Sequence, residues 1–309
     1  MNVNRNIKWV VALTFVLGYV FSVMAGSESS ARSKSASGHQ LEPIEEAEAE
    51  TPDTNWKAVD VENSMPSSFS DCQPNVINRA DTLSKVFDIL CKSGRPLRIL
   101  QLGDSHVAGD SYPQAVRERL EAAWGKAESE TDTTGVIFSY RGSNGATTKR
   151  FATADWMRKI AAESPDLIIL SFGTNECHGM GYDEAQHHAQ LQEFYDMLTE
   201  TCPDAVIMMT TPPGDYLTTR RKRRSRSTRA NPMNVRCAAE LELFGKENGL
   251  PVWDLYTIAG GTDAVRNWTS ANLMKPDRIH YTPEGYALHG HLLGEAILTA
   301  YNQYLNNPS

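Results

Sequence analysis

The sequence predicts an α/β domain built on a five-stranded parallel sheet that is covered on both faces, and three observations carry this. From Leu97 onward, short runs rich in β-branched residues alternate with longer stretches at helical spacing, which is the pattern of βαβ units. The short runs are apolar at nearly every position, as strands buried on both faces require. Polar clusters follow directly after three of them, where an open parallel sheet binds its ligands.

The strands are Leu97–Leu102, Val136–Tyr140, Leu167–Phe172, Ala205–Thr210 and Val252–Leu255. After the first, Tyr112–Trp124 places Val116, Leu120 and Ala123 on one helical side. Asp110 or Ser111 stands where a cap belongs, Pro113 falls in the first turn and Gly125 at the C′ position. Asp183–Glu200 (Leu191, Phe194, Leu198) and Val235–Lys246 (Ala238, Leu241, Phe244) are the next crossover helices. The last opens on Thr282 and runs from Pro283 to about Tyr304, and Leu83–Leu90 is a packing helix ahead of the first strand. No internal repeat is present, so residues 66–309 read as one domain.

The chain before residue 66 is of another kind. Arg5 and Lys8 precede seventeen uncharged residues, Trp9–Ala25, ending in Val-Met-Ala-Gly. Residues 1–25 therefore read as a secretory signal cleaved after Ala25, with an uncleaved single-span anchor as the alternative. Export to the periplasm or cell envelope follows. Residues 26–65 are rich in Ser, Glu, Ala and Pro and bury too little apolar area to offset chain entropy, so they read as a disordered linker. The five cysteines show no zinc-type spacing; Cys72 with Cys91 is a plausible local pair, and free buried thiols are equally so.

Composition excludes a collagen-like, wholly disordered or multi-span membrane protein: 309 residues are 40% hydrophobic and 22% charged, with a net charge of −8. A nucleic-acid binder working through global charge is excluded as well. The charge is unevenly placed. Seven of 30 basic residues (Arg220, Arg221, Lys222, Arg223, Arg224, Arg226, Arg229) fall within ten positions, which leaves 23 against 38 acidic residues elsewhere, a net −15. This run reads either as a flexible solvated loop or as a contact to an anionic polymer or lipid head groups.

The first three strands run into Gly103-Asp104-Ser105-His106, Arg141-Gly142-Ser143-Asn144-Gly145-Ala146 and Gly173-Thr174-Asn175-Glu176, and Asp277-Arg278-Ile279-His280 precedes the last helix. Singly, each is an ordinary polar turn. Together, in this order, they supply a hydroxyl nucleophile, backbone N–H groups, an amide, and a base with its carboxylate, which is the inventory of acyl transfer.

At these residues the chain resembles the SGNH (GDSL-type) hydrolase superfamily over residues 95–300. Gly-x-Asn-Gly-Ala after the second strand, and Gly-Asp-Ser-His followed by Ala-Gly-Asp at 103–110, look like the blocks of bacterial peptidoglycan O-acetylesterases. The resemblance implies a flavodoxin-like three-layer α/β/α sandwich. It implies Ser105 as nucleophile, His280 as general base and Asp277 as its orienting carboxylate, with Ser105 N–H, Gly145 N–H and the Asn175 amide as the oxyanion hole. Gly145 is preferred to Gly142 as the second block. The expected activity is a cell-envelope carbohydrate O-acetylesterase acting on an acetylated glycan, such as O-acetylated peptidoglycan, through an acetyl-Ser105 intermediate. No cofactor or metal is implied. The chain departs from the related esterases in one respect: the 40 residues from Ser105 to Gly145 and the 30 from there to Asn175 leave no room for their inserted carbohydrate-binding module.

Two other functions use the same scaffold, an acetyltransferase modifying an extracellular polysaccharide and a non-catalytic glycan-binding protein. His187-His188 and His289-x-His291 do not share a helical face and read as surface or core residues rather than ligands. His106, Cys177 and His178 are expected in the pocket wall or packing. Trp156, Trp253 and Trp268 are expected in the core, one of them being a candidate for the sugar site.

Overall fold

The computed structural model describes residues 56–221 and 225–306; the expected leader lies outside them. Its centre is a parallel sheet of β1 (Leu97–Gly103), β2 (Val136–Gly142), β3 (Leu167–Ser171), β4 (Val206–Thr210) and β7 (Val252–Trp253), in the order β2-β1-β3-β4-β7. The strands alternate between two hydrophobic clusters. Ile99, Phe138, Leu167, Ile169 and Met208 face one, with α1 (Ser84–Lys92), α3 (Ser111–Trp124) and α11 (Pro283–Asn306). Leu100, Leu102, Ile168, Leu170, Ile207 and Met209 face the other, with α5 (Ala154–Ala162), α7 (Glu184–Thr201) and α8 (Met233–Glu247). This is the expected three-layer α/β/α sandwich.

Register places the polar clusters side by side. Gly103 at the end of β1 pairs with Gly142 of β2 and with Ser171 of β3, so the chain leaves all three strands at one level. Short helices begin just beyond: α2 (Ser105–Ala108), α4 (Thr148–Phe151) and α6 (Thr174–Cys177). After β7 come α9 (Leu255–Ile258) and α10 (Ala264–Ser270), which pack Trp268 against Phe69 and Tyr281.

Several expectations change. Most of the basic run lies in strands rather than a loop: β5 (Tyr216–Arg221) and β6 (Ser225–Ala230) pair antiparallel, held at their root by buried Leu217 and by a main-chain bond to the Asp-x-x-His turn. The linker boundary at 65 falls inside packed chain. Trp56 Nε1 donates to Cys91 O at 3.1 Å, Val59 N donates to Asn302 Oδ1 at 2.8 Å, and Val61 and Met65 rest on the core. Crossover helix α5, not anticipated, is capped by Thr153, whose hydroxyl accepts the Trp156 N–H. Cys72 and Cys91 do not bridge, and all five thiols are free. Trp253 and Trp268 are wholly buried, and Trp156 packs against Phe151, so among the described residues no tryptophan lines the cleft described below. Among the described residues no helix is long and apolar enough to cross a membrane.

Candidate active site

The turn carrying Ser105 is forced by close packing. A Cβ at Gly103 would meet Val107 Cγ2 at 2.3 Å and Ser171 O at 2.7 Å, and one at Gly142 would meet Ala108 N at 2.1 Å. Only glycine at both strand ends lets α2 sit this close to the sheet. Asp104 caps α2, its Oδ1 accepting the His106 N–H at 2.9 Å. Ser105 is therefore the first helical residue, half-buried at the sheet's carboxyl edge, with its own N–H free of an intrahelical acceptor.

Opposite it stands the turn before α11. Ser105 Oγ lies 2.9 Å from His280 Nε2, and His280 Nδ1 lies 2.9 Å from Asp277 Oδ2. Asp277 Oδ1 accepts the Ile279 and His280 N–H groups, each at 2.9 Å. Burial alone would raise this carboxyl, but those donors and the His280 ring outweigh it and hold it below its ordinary value. An ionised carboxylate only accepts, so the ring proton sits on Nδ1 and Nε2 is left to accept the Ser105 hydroxyl. Fully buried Tyr281 anchors the turn from below through edge contacts with Trp268 and Tyr286.

The other two blocks are tied to each other and to Asp104, the residue before Ser105. Gly145 is exposed, has φ 68°, and its N–H has no acceptor among the described residues, whereas Gly142 is spent on packing against α2. Asn175 Nδ2 donates to Ala146 O at 2.9 Å and to Asp104 Oδ2 at 3.2 Å. The bond to Asp104 fixes the amide across 71 residues of sequence. Glu176 ties the second block to the third, accepting from Thr148 N at 2.9 Å and Gly173 N at 3.0 Å. Loss of solvent outweighs these donors and pushes the Glu176 carboxyl up to about 7; the same cause raises Asp104 to about 7.

Sequence reasoning overlooked Asp104 and Glu176 as the braces of the site; their positions at a helix cap and next to a strand-end glycine were the available signals. His106 is buried beside Ser105, where its Nδ1 lies 3.0 Å from Tyr286 OH. Burial, then the neighbouring His280, lowers it to about 3, so it is neutral. Cys177 is buried, and His178 pairs with buried Asp215 at the hairpin root. His187 bonds Tyr182 OH at 2.8 Å and His188 bonds Glu240 at 2.7 Å. Among the described residues no three His, Cys, Asp or Glu side chains are grouped to hold a metal ion.

The cleft over Ser105 and His280 is open, about 270 Å³, and walled by Asn144, Lys275, Pro283 and Tyr286. A hydroxyl on a base with a carboxylate behind the base is an arrangement suited to acyl transfer. Residues 102–288, which include every block of it, match the GDSL-like lipase/acylhydrolase family. The chain belongs to that family. It is accordingly a carboxylic-ester hydrolase of the SGNH superfamily.

Two solved structures share this GDSL fold. A peptidoglycan O-acetylesterase aligns with a TM-score of 0.60 at 16% identity, over 73% of this chain and 96% of that one. A two-domain esterase active on acetylated mannans, crystallised with mannopentaose, aligns with a TM-score of 0.51 at 17% identity, over 74% of this chain and 56% of that one. No curated protein is a significant sequence match.

Proposed function

We propose that this GDSL hydrolase is an exported carbohydrate O-acetylesterase that works through an acetyl-Ser105 intermediate. The observation that carries the mechanism is the unbroken relay from Ser105 Oγ to His280 Nε2 and from His280 Nδ1 to Asp277, at 2.9 Å each. Serine at its ordinary pKa is a weak nucleophile, and a base in contact removes its proton as it attacks.

Ser105 Oγ adds to the acetyl carbonyl carbon while its proton passes to His280 Nε2, and Asp277 stabilises the imidazolium. The tetrahedral oxygen draws on Ser105 N–H, Gly145 N–H and one Asn175 Nδ2 hydrogen. Collapse breaks the bond to the sugar oxygen, which leaves with the proton from His280. Water, deprotonated by the same nitrogen, then cleaves acetyl-Ser105 to acetate. Donors held in place beforehand cost no reorganisation during reaction, and this makes oxyanion stabilisation a large term.

Three things support a carbohydrate substrate: the open cleft suits an ester carried on a bulky polymer, the leader suits a cell-envelope location, and both structural neighbours are named for carbohydrate esters. Acetate release from O-acetylated peptidoglycan, O-acetylated mannan and O-acetylated xylan tests the reading. Turnover of at least one, well above that of a long-chain acyl ester, is expected; preference for the long-chain ester would overturn it.

A further inference from the structure

The basic hairpin is bolted to the catalytic turn. Tyr216 N, at the start of β5, donates to Arg278 O at 3.0 Å, and the Arg278 guanidinium donates to Thr228 Oγ1 of β6 at 2.7 Å while lying 5.1 Å from the centre of the Tyr216 ring. Arg278 is the residue after Asp277 and two before His280, and it is held at φ 59°, a conformation unfavourable for arginine. One residue before β5, Asp215 pairs with His178, three positions after Asn175, and accepts from Asn231 Nδ2 at 2.8 Å. The hairpin root thus joins the turn carrying the base to the loop carrying the expected oxyanion amide.

The hairpin's formal charge is of one sign. In the ladder the backbone of Arg220 pairs with that of Arg226. No acidic residue occurs between Asp215 and Glu240. Cations without a carboxylate partner among the described residues lead from the hairpin to the cleft: Arg278, bonded to Thr228 of β6, then Lys275 in the cleft wall, whose main-chain oxygen accepts the Arg278 N–H at 2.9 Å. The rest of the chain is net negative, so an anion near this molecule is drawn to one strip that ends at Ser105.

We propose that the β5–β6 hairpin is a polyanion-binding arm that lays an acidic polysaccharide across the cleft, so that the esters removed are those of a uronate-type or similarly anionic glycan. This inference rests on the esterase reading and adds the charge class of its substrate. Six residues per strand at about 3.4 Å give an arm of roughly 20 Å, long enough to track several charged sugars. A membrane surface fits less well. Thr218–Arg229 contains no aliphatic or aromatic side chain, whereas interfacial segments bury an apolar face. The strip also leads into the cleft rather than away from it.

The test uses the full chain, the variant Arg220→Thr/Arg226→Thr/Arg229→Thr, and the charge-keeping variant with Lys at the same three positions. Probes are polygalacturonate for binding, O-acetylated polygalacturonate and O-acetylated dextran for acetate release, p-nitrophenyl acetate as a small neutral ester, and phosphatidylcholine vesicles with and without phosphatidylglycerol. The Thr variant should bind polygalacturonate on the order of tenfold more weakly at low salt, with KM for the acetylated form rising in step, and the difference should close near ~0.5 M salt. The Lys variant should keep binding, and dextran and p-nitrophenyl acetate rates should stay within about twofold. Unchanged polygalacturonate binding, equal losses on dextran, or retention by anionic vesicles without polygalacturonate binding would each overturn the arm. Absence of acetate release from every ester in the wild type, with polygalacturonate binding intact, would instead strike the esterase reading.

Discussion

Replacing Asp277 by Asn isolates what the carboxylate does for His280. Asp277 uses Oδ1 as a cap for the Ile279 and His280 N–H groups and Oδ2 as acceptor for the ring, all at 2.9 Å. The Asn carbonyl can keep both backbone bonds, so the turn should persist. Its Nδ2 then presents hydrogens to His280 Nδ1, the ring moves its proton to Nε2, and that nitrogen can no longer take the proton of Ser105 2.9 Å away. In buried triads this tautomer reversal lowers kcat about 10⁴-fold. Here the Asp277 side chain is 47% exposed and that of His280 33%, so water takes part of the carboxylate's place and the expected loss is nearer ~10³. Steady-state hydrolysis of p-nitrophenyl acetate at pH 8 is the assay, with KM and the urea midpoint unchanged. Retention of activity within about tenfold, or a loss confined to KM, would refute the reasoning.

Removing the Asn175 amide as Asn175→Ala should lower kcat on the order of 10²–10³ with little change in KM, read from the same steady-state curves. Gly142→Ala places a methyl 2.1 Å from Ala108 N, so α2 must move. Stability should fall by about 1–3 kcal/mol in urea titration, and kcat should fall with it because Ser105 rides on that helix. His289 is fully enclosed, stacked on Tyr112 at 3.9 Å with neither ring nitrogen bonded among the described residues, and burial, then His106, lowers its pKa well below the ordinary value. A histidine whose folded pKa is depressed gives stability that is present above its unfolded pKa and lost as pH falls. His289→Phe should therefore lose less stability than wild type between pH ~7.5 and ~5, by up to ~2 kcal/mol in parallel urea titrations.

The sheet was legible because burial on both faces leaves a nearly continuous apolar signature, as in Leu167–Leu170, and because helix ends such as Gly125 carry their own chemistry. The candidate site was legible as residue types, since acyl transfer requires a hydroxyl, a base, a carboxylate and donors whatever the scaffold. Its bracing was not. Asp104 meets Asn175 only because Gly103 and Ser171 share a register level, a tertiary fact with no local pattern. The hairpin escaped notice because its arginine run lacks the alternation of a half-buried strand, and its order comes from Leu217 and from Arg278 fifty residues away. Residues 56–65 read as linker because their few apolar side chains are scattered; Asn302 and Glu295 of α11 hold their backbone, which no window of sequence reveals.

The central claim is that acetate leaves this protein by way of Ser105. Mass spectrometry of the chain quenched during turnover of an acetyl ester, followed by peptide mapping, tests it most directly. An acetyl group on the peptide bearing Ser105 is expected in the wild type, with neither the adduct nor acetate release in Ser105→Ala. Acetate release by Ser105→Ala at the wild-type rate, or an adduct mapping to another residue, would contradict the account.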